Sequence, residues 1–515
     1  MAIQRHLQLL LALAIFTLLA GYWTLFEPFG RDQGIHATIG YALIEGLPTY
    51  SEVYNVKPPI TTAIHAFSQL AFGHYASSIR LLDLIAVCGT AYGIFLLLLR
   101  MELNTVPSIL AALTFISAYY NLDFWTRAQT DGWAGFLLVF FFLALLNGWM
   151  RRRIIWFTLA GFILGLSFAT KYTIGTAALA VFAPFIIDDV RFVFRLKDFF
   201  FFLFGGILAL AICCLTLALM GSIFDFFSIQ SYVFVYASSW KAQTDAMIGG
   251  IIYALSGSKV VGLLVFISVW FLIRNLILMK FNTANIILGI WIITGMVSYW
   301  VQGKGFPYHS LPLLIAMTSS TVLNWQILVN IGARVPHVKF RRELFVSFSG
   351  AFILSLLPWS DMLLPAVAQY DETLEMTVAA DHVAEDFSSP AIEAAADRLN
   401  GMLGPKDNFF LWGYETMLYF HVRQPPLHRY PYSWPFVVNY YDGRYTADLM
   451  ARLNRDPPEL FVLQYRDATP WVTGEIRDSR QMIDEFPALA SFLKASYVIV
   501  DSIDRFEIWG LKESR

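Results

Sequence analysis

Two acidic residues and a small set of cations stand out in a chain that otherwise avoids charge. Asp32 and Lys57 lie between the first and second apolar runs, in the stretch RDQGIHATIGYALIEGLPTYSEVYNVKPPI from Arg31 to Ile60. Arg80 opens the second run, Arg127 and Asp131 follow the third, Lys171 follows the fifth, and Lys304, Tyr308 and His309 follow the ninth. A carboxylate can take a proton from a hydroxyl that it reaches within about 2.6–3.2 Å. Ammonium and guanidinium groups placed where negative charge develops stabilise a departing phosphate. Charge at membrane depth is costly unless paired or wet, so each of these residues is a functional candidate. Each also has a plainer reading. Asp32 and Asp131 suit helix N-termini, Lys171 and Lys304 suit interfacial anchoring, and His65, His74 and His309 read as interfacial side chains before metal ligands. What favours chemistry is that the charged residues share one face once the apolar runs are threaded through a bilayer.

The elements that must position them are membrane spans. The chain has 515 residues, is 57% hydrophobic and only 14% charged, and has a mean hydropathy of +0.57. Typical soluble domains carry roughly 25% charged residues. Apolar runs long enough to cross about 30 Å of hydrocarbon recur throughout. We place spans at 7–26, 82–99, 105–122, 133–150, 154–170, 173–187, 199–220, 259–279, 283–301, 309–330 and 344–366, about 11 transmembrane helices in all. Basic clusters such as Arg151-Arg152-Arg153 and Arg341-Arg342 lie at the ends that place the N-terminus in the cytosol. The candidate residues then face outward. A net charge of −2 gives no footing for a nucleic-acid partner. The three cysteines, Cys88, Cys213 and Cys214, sit in apolar runs with neither disulfide nor metal spacing.

The tail changes character. From about residue 367 charge rises and apolar runs shorten. Ala391–Met402, Gly443–Asn454 and Gln481–Leu493 read as amphipathic helices. NFFLW, ELFVLQY, SYVIVD and RFEIWG read as strands buried on both faces or nearly so. The expected organisation is a membrane module over 1–366, with an outer loop at 27–81 carrying interfacial helices, and a soluble extracytoplasmic α/β domain over 367–515. That domain has neither a glycine-rich phosphate loop nor a nucleophile elbow, so it reads as a binding or covering domain.

In order and spacing these motifs resemble the GT-C membrane glycosyltransferases, in the branch holding the protein O-mannosyltransferases and the lipid A aminoarabinose transferase. The resemblance rests on RDQ…NVKPP, SSIRLLD, RAQTDGWAGF, GLSFATKYTIG and GKGFPYHSLPLL, and it covers roughly residues 1–330. It implies a mainly α, polytopic GT-C fold in a membrane of the bacterial inner-membrane type, with the C-terminal domain periplasmic. The implied activity is inverting transfer of a sugar from a polyprenyl-phosphate donor to a lipid, glycan or protein acceptor. In that scheme Asp32 is the general base. Asp131 is a second catalytic carboxylate that orients acceptor or sugar, or else holds Arg127. Lys57, Arg80, Lys304, Tyr308, Arg127 and Lys171 bind the donor and its phosphate. The sequence requires no cofactor, and nothing in it supports a divalent metal. One departure matters. Relatives often carry Asp-Glu after the first span, whereas this chain has Asp32-Gln33.

Two other readings are open to such a chain. An O-antigen polymerase or ligase would lack the Asp-then-Lys-Pro loop. A transporter or flippase of lipid-linked sugars would bury functional charges at mid-span, where this sequence is almost wholly apolar.

Overall fold

The computed structural model describes residues 2–189, 191–239, 244–256, 259–324, 383–384, 386–437, 443–474 and 476–512. Thirteen helices lead: α1 (Ala2–Gly21), α2 (Arg31–Ile44), α3 (Pro59–Phe72), α4 (Ala76–Arg100), α5 (Thr105–Tyr120), α6 (Thr130–Arg151), α7 (Ile154–Thr170), α8 (Leu196–Leu219), α9 (Ile223–Ser239), α10 (Thr244–Ser256), α11 (Lys259–Ile277), α12 (Thr283–Gln302) and α13 (Leu311–Ser320). Among the described residues, five helical stretches are long and apolar enough to cross a membrane: His6–Phe26, Ala76–Arg100, Thr130–Arg151, Leu196–Leu219 and Thr283–Gln302. Shorter apolar helices flank them, Thr105–Tyr120 and Ile154–Thr170 among them. This is an integral membrane protein.

Several expected spans differ in detail. The run expected at 173–187 is a 3-10 stretch, Tyr172–Phe185, with Pro184 inside it and no N–H there to donate. The run expected at 309–330 opens with a 3-10 turn, Pro307–Ser310, before α13. Helices α9 and α10 lie between the runs expected at 199–220 and 259–279, where no span is placed. The run expected at 344–366 lies outside the described residues.

Helix ends follow local chemistry. Pro59 starts α3, where its missing N–H costs nothing. Asn282 caps α12 by accepting from the Asn285 amide at 2.9 Å. That helix stops at Gly303, whose φ of +64° suits a residue without a side chain.

Helices α7 and α8 pack backbone against backbone. A Cβ at Gly161 would stand 1.8 Å from the Phe202 carbonyl oxygen, and one at Gly205 would stand 2.0 Å from that of Thr158. Small residues allow this approach, which is how apolar helices gain contact where no hydrophobic effect drives them together. Gly161→Val should therefore force the two helices apart. We expect a loss of roughly 1–3 kcal/mol, read as a lower melting temperature of the detergent-solubilised protein.

The C-terminal region is a small α/β assembly. A short antiparallel pair, β1 (Val383–Ala384) and β2 (Phe387–Ser388), leads into the helix Ser389–Met402. A four-stranded sheet has the order β3 (Phe409–Trp412), β4 (Leu460–Gln464), β6 (Phe506–Leu511), β5 (Tyr497–Ile503). The β3–β4 pair is parallel and the others are antiparallel. Strands β3 and β4 are buried throughout, as their unbroken apolar sequences predict. The other two differ from that expectation. Strand β6 alternates, and β5 is an edge strand that exposes Val498, Ile499 and Val500. The helix expected at Gln481–Leu493 is divided, since Pro487 begins a new helix, Pro487–Ser496.

The loop between α1 and α4 is not an interfacial skin. Most of α2 is buried, because the C-terminal region covers its upper side. A Cβ at Gly34 would meet Met417 at 2.9 Å, and the Thr38 hydroxyl donates to the Thr416 carbonyl at 2.9 Å. Helix α3 keeps Phe67 and Leu70 exposed, as a helix against lipid would.

Candidate active site

Asp32 stands in the first turn of α2, where a carboxylate is favoured by the helix dipole. What fixes that turn is its two neighbours. Gln33 is wholly buried, and its amide makes four hydrogen bonds. Oε1 accepts from the Gly30 amide at 2.6 Å and from Arg80 at 3.1 Å, while Nε2 donates to the carbonyls of Phe124 and Arg127, each at 2.6 Å. Arg31 reaches the other way, into the C-terminal region. Its guanidinium donates to Glu415 at 2.7 and 3.0 Å, and to the side chain and carbonyl of Asp386 at 3.1 and 2.7 Å.

The position where relatives often keep an acid is thus a clamp, turned away from the cavity. A carboxylate there would set oxygen against two carbonyl oxygens and lose both donated bonds. Gln33→Glu should cost on the order of 2–4 kcal/mol, seen as a lower unfolding midpoint in detergent.

Lys57 is presented by a pinned backbone. Its amide donates to Asn55 Oδ1 at 2.9 Å, its carbonyl accepts from the Tyr50 hydroxyl at 2.8 Å, and Pro58 and Pro59 stiffen the chain on its C-terminal side. Lys304 lies between Gly303 and Gly305, at φ +64° and +73°. Burial, then the nearby charges of Lys57 and Lys171, push its ammonium down to about 7 against the pull of Asp32. Tyr308 stands against Asp32, with Asp131 also within electrostatic reach. Arg31, Asp32, Lys57, Lys304 and Tyr308 all line a cavity of about 480 Å³ between the membrane half and the C-terminal region. Asp123, Tyr414, Tyr432 and Trp434 share that lining.

Asp131 and Lys171 sit just behind it. Lys171 Nζ is 2.9 Å from Asp131 Oδ2, and Gln302 Nε2 donates to Oδ1 at 3.0 Å. This knot ties the start of α6 to the ends of α7 and α12. Both carboxylate oxygens are engaged, which suits a group that holds others in place.

Arg80 and Arg127 are set apart from the cavity. Each is 1% exposed, and they flank Glu27 in a buried group. Arg127 pairs with Glu27 and lies over the Trp23 ring at 4.5 Å. Arg80 lies 3.8 Å from Glu27 and donates to the Pro28 carbonyl at 2.9 Å. Asp83 is one turn further along α4 and accepts from the Tyr119 hydroxyl at 2.6 Å. Two buried cations thus stand among two acids. Removing one member of such a set leaves uncompensated charge and costs about 3–5 kcal/mol.

The structure therefore brings together Asp32, Lys57, Lys304 and Tyr308, keeps Asp131 and Lys171 one layer behind, and places Arg80 and Arg127 with Glu27, away from the cavity lining. Sequence reasoning missed Arg31, Glu27 and Glu415. Arg31 adjoins Asp32 in the first motif, but its partner Glu415 is 384 residues away, and no spacing rule signals such a pair. His309 is buried beside Lys304, with its ring tilted against Phe306 and edge-on to Tyr308. Among the described residues, no three His, Cys, Asp or Glu residues are grouped to hold a metal ion.

A second cavity, of about 340 Å³, lies lower between helices. Ile60 and Ile64 of α3, Ala86 and Gly89 of α4, and Trp133 and Phe136 of α6 line it. Its upper end is set by sequence, because Ile60 is three residues beyond Lys57 and Trp133 is two beyond Asp131.

Residues 56–218 match the family model described as Dolichyl-phosphate-mannose-protein mannosyltransferase. Among solved structures, 99% of this chain is similar to 98% of ArnT from Cupriavidus metallidurans bound to undecaprenyl phosphate, at 16% identity and a TM-score of 0.55. Likewise, 99% of it is similar to 74% of the Archaeoglobus fulgidus oligosaccharyltransferase tethered with an acceptor peptide, at 12% identity and a TM-score of 0.50. No curated protein matches the chain by sequence. Likeness at these identities shows the fold, and the resemblance read from the sequence motifs, to GT-C membrane glycosyltransferases, agrees with it.

Proposed function

We propose that this GT-C-fold membrane protein is an inverting glycosyltransferase that moves a sugar from a polyprenyl-phosphate donor to an acceptor outside the cytosol. The observation that carries the reading is the meeting of one carboxylate, Asp32, with two ammonium groups, Lys57 and Lys304, in one cavity, with a separate apolar groove whose Ile60 is three residues beyond Lys57. In the reaction Asp32 takes the proton of the acceptor hydroxyl. The acceptor oxygen bonds to the anomeric carbon, and the bond from that carbon to the phosphate oxygen breaks. The electron pair leaves with the polyprenyl phosphate, whose new negative charge Lys57 and Lys304 stabilise. Tyr308 holds Asp32 or the sugar in place. The Asp131–Lys171 ion pair, neutral overall, holds the start of α6 and the ends of α7 and α12 in place behind the site. Arg80 and Arg127 act through Glu27 and Gln33, as positioning residues for the first turn of α2. The isoprenoid tail lies along the groove of Ile60, Ile64, Trp133 and Phe136, where it needs no aqueous pocket.

In this reading the N-terminus is cytosolic and the cavity faces the periplasmic side of a bacterial-type inner membrane. Residues 1–366 form the transferase module, with the loop 27–81 as its site-bearing element, and 367–515 form the outer domain that roofs the site. The test is a mass spectrum of glycolipids and glycans from cells with and without the protein. A sugar-bearing product that disappears, with the unmodified acceptor accumulating, is the expected result. Identical spectra would overturn the reading.

A further inference from the structure

We propose that the cavity wall built by the C-terminal region binds the acceptor through a sugar ring, so that the acceptor is a saccharide, borne on a glycan or a glycolipid, and not a polypeptide. This rests on the transferase reading and narrows it. Six of the eighteen lining residues are aromatic, in a chain that is 16% aromatic overall. Three of the six, Tyr414, Tyr432 and Trp434, come from the C-terminal region, with Thr469 and Asp386 beside them. A pyranose has one or two faces of C–H bonds and a rim of hydroxyls. The faces carry partial positive charge and suit the negative face of an aromatic ring, while the rim suits hydroxyl, amide and carboxylate groups. This wall offers both kinds of group, the rings of Tyr414, Tyr432 and Trp434 and the side chains of Thr469 and Asp386.

A polypeptide acceptor would be expected to lie extended and to pair its backbone with a strand edge. No lining residue belongs to a strand of the four-stranded sheet, whose two edge strands are β3 and β5. The wall is also rigid before any ligand arrives. Tyr432 and Trp434 are largely buried, with rings packed 6.1 Å from Tyr54 and 6.0 Å from Tyr232. Between them, the Ser433 amide donates to the Gly413 carbonyl at 2.9 Å. Rigid aromatic platforms lose little entropy on binding. Position agrees as well. Inversion requires the acceptor to approach opposite the leaving phosphate. With the phosphate on Lys57 and Lys304, at the membrane half, the opposite wall is this one.

The test uses the full chain in nanodiscs and saturation-transfer NMR with three probes: a panel of methyl hexosides and hexosaminides, a Ser- and Thr-containing heptapeptide, and undecaprenyl phosphate, the last followed by melting temperature. At least one glycoside should receive saturation on its ring C–H protons with a Kd on the order of 1 mM. Trp434→Leu should weaken it at least tenfold, Tyr432→Phe, which keeps the ring, less than threefold, and the peptide should give no signal. A glycolipid in the nanodisc that binds tenfold tighter than its methyl glycoside marks a lipid-borne acceptor, and equal affinities mark a soluble glycan. Peptide binding without glycoside binding, or no binding by either, overturns the proposal while undecaprenyl phosphate still raises the melting temperature. If undecaprenyl phosphate has no effect either, the transferase reading fails with it.

Discussion

Asp32→Asn should abolish sugar transfer while leaving expression, solubilisation and melting temperature close to those of the parent. The substitution keeps size and the first-turn position in α2, and removes only the basic oxygen. General-base catalysis contributes about 10²–10⁴-fold, so turnover in membranes supplied with donor and acceptor should fall by at least a hundredfold. Donor binding should survive, because the phosphate contacts belong to Lys57 and Lys304. The control lies one residue away. Gln33→Glu disturbs the clamp and hence stability, while Asp32→Asn disturbs chemistry and leaves stability alone. A variant at Asp32 that turns over normally would remove it from the mechanism.

Lys304→Gln should lower turnover by about 10²–10³-fold, the range for removing one group that meets charge in the transition state. It should also change how donor binding depends on pH. In the empty site the Lys304 ammonium is pushed down to about 7, first by burial and then by Lys57 and Lys171. Below that pH the cation is already present and donor affinity should be flat. Above it the site must take up a proton to meet the phosphate, so the donor Kd should rise with pH, towards tenfold per unit. In Lys304→Gln this slope should vanish, leaving weaker but pH-independent binding over the same range. Donor titrations between pH 6 and 9 on both proteins decide it, and a slope that persists in the variant would assign the titration elsewhere.

Much of this site was legible in the sequence because its parts are rare types in an apolar chain. Asp32, Lys57, Lys304 and Tyr308 are conspicuous for that reason, and a charge that a bilayer would otherwise penalise must lie somewhere useful. Arg80 and Arg127 stand out for the same reason, yet they pair with Glu27 and do not line the cavity that holds Asp32. A buried cation can be explained equally by a buried anion, and Glu27 supplied one from a stretch that reads as a linker. The fold showed a similar division. Long apolar helices such as α4 and α6 follow from composition, and β3 and β4 from unbroken apolar strings. The 3-10 course of Tyr172–Phe185 and the burial of α2 depend on what packs against them. Above all, the roof over the site is written in residues hundreds of positions away, and pairing at that range leaves no local pattern.

That distance has a consequence in time. Among the described residues, the guanidinium of Arg31 finds its carboxylates in Asp386 and Glu415, the latter 384 residues later. A ribosome adding about 5–20 residues per second needs roughly 20–80 s to cover that interval. For that period the nascent chain already holds Asp32 and Lys57 at the membrane, yet lacks the clasp that orients the first turn of α2 and the wall that closes the cavity. On the proposed reading, a chain built in this order has its base and one cation long before it has the wall that faces the acceptor.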